Sequence, residues 1–133
     1  MHMLKRAVAL ALLAFSLNAS ATDDGYSAVY STCMDNSGGK TYEMLECIGA
    51  EIGQQDARLN QNYKAAMNAL APELQIQLRD AQRLWIKFRD ADCTLLGSLS
   101  GGTIDRINGA TCILDITKER ADDLAWLAMQ GNN

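Results

Sequence analysis

The chain has 133 residues, with 12 basic and 16 acidic side chains, a formal charge of −4 and a single histidine. That length accommodates one domain with a modest core, and the acidic balance disfavours nucleic acid and anionic membrane surfaces as partners, serving either solubility or attraction to a basic protein. The single imidazole, His2, falls in a leader expected to be cleaved, and once it is removed neither a Ser-His-Asp or Cys-His catalytic site nor a His-ligated zinc or haem centre is expected.

Residues 1–21 have the form of a secretory signal peptide. Lys5 and Arg6 precede an apolar run from Ala7 to Leu17, and Ala19-Ser20-Ala21 fits the small-residue cleavage rule. The run is shorter than the about 20 residues a membrane span needs, and no cysteine lies beside the cleavage point, so no membrane anchor is expected. Cleavage near Ala21 would release a periplasmic or secreted domain over residues 22–133, remove His2 with Lys5 and Arg6, and carry the formal charge from −4 to −6. In that oxidising setting Cys33, Cys47, Cys93 and Cys112 should pair. Their separations are too long for a Cys₄ zinc site, no CxxC is present, and the run from Asp35 to Glu46 carries Lys40 where a calcium loop needs glycine. No metal or cofactor is called for.

From Thr22 to Lys40 the chain is rich in Gly, Ser and Asp and reads as an irregular arm with one turn around Ser27 to Met34. Beyond Thr41 a helical period sets in through Leu45, Ile48, Ile52, Asp56, Leu59, Tyr63, Ala66 and Leu70. Pro72, the only proline, suits a first helical turn and marks a helix-to-helix junction. A second helix continues to about Leu96, with Leu74, Leu78, Ala81, Trp85, Phe88 and Asp92 as its inward stripe, and Gly97 ends it. Residues 97–109 are too rich in glycine for a good helix and read as a loop. A third helix runs from about Thr111 to Gln130, with Ile113, Ile116, Arg120, Leu124 and Leu127 on one face.

The expected fold is therefore all-α: a small disulfide-stapled bundle of three main helices, the first two a long antiparallel hairpin. At about 1.5 Å per residue, Cys47 and Cys93 lie at similar heights above the Pro72 junction, and Cys112 and Cys33 fall at the same pole. Height leaves all three connectivities open. Because Cys47 and Cys93 each sit one step off their own inward stripe, the local pairs Cys33–Cys47 and Cys93–Cys112 are favoured, each worth about 3 kcal/mol in the chain-entropy account.

Asp56 and Arg120 fall within apolar stripes, where an unpaired charge is costly, so they are expected to form a buried polar pair or to find Gln82 or the Trp85 indole. Loss of Asp56 from such a pair would cost roughly 3 kcal/mol. In Ala81-Gln-Arg-Leu-Trp-Ile-Lys-Phe-Arg-Asp-Ala-Asp-Cys93 the aromatic and basic residues alternate, yet helical spacing turns Trp85 and Phe88 inward and leaves Arg83 and Lys87 on a solvated flank.

The ordered set Cys33, Thr41, Glu43, Cys47, Asp56, Leu59-Asn60, Tyr63, Gln82-Arg83, Trp85, Arg89-Asp90, Cys93, Cys112, Thr117 and Arg120 resembles the LprI-like lysozyme-inhibitor domain. The resemblance spans nearly all of residues 22–133 and implies a small secreted or periplasmic helical domain with local disulfides. It also implies a non-enzymatic function, inhibition of a basic lysozyme-type hydrolase by direct binding, with a non-inhibitory envelope assembly or ligand-binding module as the alternative. An inhibitor of that kind must cover a cleft holding two carboxylates. The segment between Cys93 and Cys112 is a mobile, Gly-rich loop able to protrude, in which Arg106 offers a cation and Ser98, Ser100 and Thr103 offer hydroxyls. Oligomeric state is left open.

Overall fold

In a computed structural model, residues 25–131 are described; the segment expected to be a signal peptide lies outside them. Four helices follow one another: α1 Ala28–Asn36, α2 Thr41–Ala69, α3 Pro72–Leu96 and α4 Ile104–Gln130, with no strand among the described residues. The all-α class and the two long helices on either side of Pro72 agree with the sequence reading. Two elements differ from it. The irregular arm contains a nine-residue helix, α1, started by Ser27, whose hydroxyl accepts the Tyr30 amide at 3.1 Å. The final helix begins at Ile104, well inside the segment read as a loop.

Each boundary has a local cause. Pro72 occupies the first turn of α3, where its missing amide N–H costs nothing. The carbonyls of Met67, in the last turn of α2, and of Leu70, just beyond it, accept the side-chain amide of Gln75 at 2.6 and 3.1 Å, so the junction is closed by a residue from the next helix. Gly97 stops α3, its amide donating to the Cys93 carbonyl.

The helices assemble around α4. It lies along most of α2 and also packs on α3, whereas α2 and α3 approach each other closely at few points. Contacts between α2 and α4 rise in step along both helices, from Arg58 with Lys118 to Asn62 with Ala121 and Ala69 with Gly131, so these two run parallel and α3 returns antiparallel between their ends. Leu59, Ala66, Leu78, Ala121 and Leu124 form the shared core, with Tyr63, Met67, Leu70, Trp85 and Leu127 packed against it. Two disulfides staple one pole, Cys33–Cys47 joining α1 to α2 and Cys93–Cys112 joining α3 to α4, which is the local pairing expected.

The inward faces are rotated from those the periodicity suggested. On α2 the buried positions are Cys47, Ile48, Glu51, Gln55, Leu59 and Ala66, so Gln55 and not Asp56 points inward. On α4 they include Leu114, Thr117, Ala121 and Leu124. On α3 only Leu78, Gln82 and Cys93 are buried and Trp85 is half-buried, while Leu74, Ala81 and Phe88 face solvent. Polar residues hold inward places on α2 because they are satisfied there. The Glu51 carboxylate accepts the Ser27 amide at 3.0 Å, the Ser27 hydroxyl at 2.6 Å and the Gln55 amide at 2.9 Å, tying the arm to the bundle.

Candidate partner-binding site

The stapled pole carries a loop, residues 97–103, whose two ends are held by the Cys93–Cys112 bond. At its base the backbones of α3 and α4 nearly touch. A Cβ on Gly109 would lie 3.2 Å from the Gly97 Cα and 3.4 Å from the Cys93 carbonyl, so the glycine that reads as a loop former is a close-packing residue inside α4. This is why the helix could extend back to Ile104.

Asp105, in the first turn of α4, organises the loop. Its buried carboxylate accepts the Ser100 hydroxyl at 2.8 Å, the Ser100 amide at 3.1 Å and the Gly101 amide at 2.7 Å. Gly101 supplies the left-handed backbone, at φ +75°, that turns both amides toward that carboxylate. The Ser100 hydroxyl and the two amides hold the Asp105 carboxyl below its ordinary 3.8, against the opposing effect of desolvation. The loop of the sequence reading is thus braced from within by hydrogen bonds to Asp105.

The four residues expected to contact a partner divide accordingly. Ser100 spends its hydroxyl proton on Asp105 and Ser98 donates to the Thr94 carbonyl at 2.8 Å, so both serve the loop itself. Thr103 precedes α4 with its side chain making no capping bond, and Arg106 is exposed with no carboxylate within ion-pair distance among the described residues. Beside Arg106, Leu99 and Ile104 are 64% and 53% exposed. These two were missed by sequence reasoning; the available signal was apolar side chains in a glycine-rich stretch without a helical period to bury them.

The expected Asp56–Arg120 pair does not form. Asp56 is exposed on α2, and Arg120, half-buried, donates its Nε to the Gln82 Oε1 at 2.9 Å, the alternative partner the sequence offered. Desolvation lowers the Arg120 pKa below its ordinary value, and the neighbouring Asp123 charge opposes that shift. Asp56 instead borders a groove of about 360 Å³ between α2 and α3, which Tyr63, Gln82, Trp85 and Arg79, Arg83 and Arg89 also line. The Arg89 guanidinium lies 4.9 Å from the Trp85 ring centre and is paired with Asp90 at 3.0 Å. Eight of the residues on which the family resemblance rests, from Asp56 to Arg89, stand along this groove.

The described residues form an all-helical domain with two local disulfides and a braced polar loop, and no three His, Cys, Asp or Glu side chains converge as metal ligands among them. The family model described as lysozyme inhibitor LprI matches residues 33–124, and the chain belongs to that family. It is also 31% identical over 101 residues to an uncharacterised protein of Rhizobium meliloti (strain 1021), a match covering 65% of this chain and 73% of that protein. No solved structure matches.

Proposed function

We propose that this protein acts outside the cytoplasm, in the periplasm or as a secreted protein, where it inhibits a lysozyme-type cell-wall hydrolase by inserting the 97–106 loop at the substrate cleft. Family membership supports the kind of function, and the disulfides suit an oxidising compartment. No helix among the described residues is long and apolar enough to cross a membrane.

One observation carries the choice of surface: a loop closed by Cys93–Cys112 and braced by Asp105 holds Leu99, Ile104 and Arg106 outward together. A loop already held in one conformation loses little entropy on binding, which is how protruding inhibitory loops gain affinity. Arg106 supplies a cation for the paired carboxylates of a glycosidase cleft, and Leu99 and Ile104 supply apolar contact at its rim. The acidic balance of the chain favours encounter with a basic hydrolase.

The test is residual lysozyme activity against increasing amounts of oxidised protein. Wild type should inhibit in proportion to its concentration, and Arg106→Glu should weaken inhibition at least tenfold with an unchanged helical circular-dichroism spectrum and melting temperature. Equal inhibition by the two proteins would place the binding surface elsewhere.

A further inference from the structure

The outer face of α3 is apolar and is covered by nothing among the described residues. Leu74, Ala81, Leu84, Phe88, Ala91 and Leu95 are all exposed, the four large ones to 46%, 66%, 59% and 60%. They follow one another at steps of seven, three, four, three and four, the heptad spacing of a helix–helix seam, with Gln77 the single polar residue at a seam position. Between Leu74 and Leu95 the seam is three heptads long, about 32 Å at the helical rise. Isolated exposed leucines are ordinary; a continuous stripe on one helix, facing away from both α2 and α4, marks an interface.

We infer that this stripe pairs with the same stripe of a second copy of the chain, the two α3 helices running antiparallel about Leu84. Self-complementarity selects this occupant and this direction. Reflection about Leu84 sets the small Ala81 against the large Phe88 of the second copy, to within a residue, and Leu74 against its Leu95. On one flank of the seam Asp80 lies one turn before Leu84 and Lys87 one turn after it, so antiparallel pairing brings each Asp80 beside the other copy's Lys87. In a parallel pair the flank carrying Asp80 and Lys87 would instead face the opposite flank of the other copy, where Leu78 and Trp85 are packed into its own core, and the Asp80–Lys87 pairs would not form. Lys87 is exposed without an ion pair among the described residues, and Asp80 has only Arg83 at 4.0 Å, so both are available. The two-fold arrangement leaves the loop at residues 97–106 at opposite ends of the pair, one for each copy, and it stands independently of what that loop binds.

Sedimentation equilibrium of the oxidised protein, from low to several hundred micromolar, tests the pairing. A concentration-dependent dimer is expected, weakened at least tenfold by Leu84→Glu, whose exposed site leaves the monomer's circular-dichroism spectrum and melting unchanged. Lys87→Asp should also weaken association, and the double variant Asp80→Lys with Lys87→Asp should restore it, which mere loss of solubility or folding would not reproduce. A wild type that stays monomeric throughout, including one whose stripe is covered by another segment of its own chain, overturns the inference. So does association indifferent to Leu84→Glu, or a double charge swap that fails to restore the dimer.

Discussion

Replacing Gln82 separates the polar contact that the tertiary structure makes from the one that helical periodicity suggests. Gln82 is buried and its Oε1 is the acceptor for the Arg120 Nε at 2.9 Å. Gln82→Ala removes a hydrogen bond to a charged group, worth about 1.5–3 kcal/mol, and leaves a half-buried guanidinium short of an acceptor. For a domain of this size the melting temperature should fall by on the order of 10 °C. Asp56→Ala, at an exposed position, should change stability by less than about 0.5 kcal/mol. Double-mutant cycles monitored by urea unfolding at neutral pH make the distinction sharp. Gln82→Ala with Arg120→Met should couple by about 1 kcal/mol or more, whereas Asp56→Ala with Arg120→Met should be additive to within about 0.5 kcal/mol. Strong coupling between Asp56 and Arg120, or additivity between Gln82 and Arg120, would refute the reasoning.

Thr117 is 1% exposed and its hydroxyl has no hydrogen-bond partner among the described residues, so Thr117→Val should raise stability by about 1 kcal/mol in the same unfolding assay. Replacing both Cys93 and Cys112 with alanine should cost about 3 kcal/mol and reduce lysozyme inhibition more than that of a variant lacking the Cys33–Cys47 bond, measured under conditions where both remain folded. Two carboxyls titrate below their ordinary 3.8: Asp105 through its loop hydrogen bonds, and Asp122, where desolvation is outweighed by bonds from Lys118 and Arg58. Their folded pKa values are depressed, so the stability they contribute is fully present above the unfolded value and is lost as pH falls through the folded ones. Melting followed from pH 6 downward should therefore show a decline setting in near 4, and Asp105→Asn should make that decline shallower.

Much of the architecture is legible from residue order alone, because it depends on local chemistry. Pro72 admits only a helix start, the apolar periods on either side of it admit only helices, and lengths measured from that junction bring the four cysteines to one pole. The off-stripe positions of Cys47 and Cys93 even indicate which of them pair. What periodicity does not carry is the choice among adjacent faces of one helix. On α3 the row Leu78, Gln82 and Cys93 and the row Leu74, Leu84 and Phe88 are both compatible with helical spacing, and only the position of α4 decides that the first is buried and the second exposed. The same indeterminacy moved Gln55 into the place assigned to Asp56 and gave Arg120 to Gln82. Gly109 illustrates the other limit: a glycine needed for a backbone to pass within van der Waals contact of Gly97 is written with the same letter as one needed for a turn. Local propensity is a property of each segment and is read from its own residues; the burial of one helical face in preference to its neighbour is settled by which other helix lies against it.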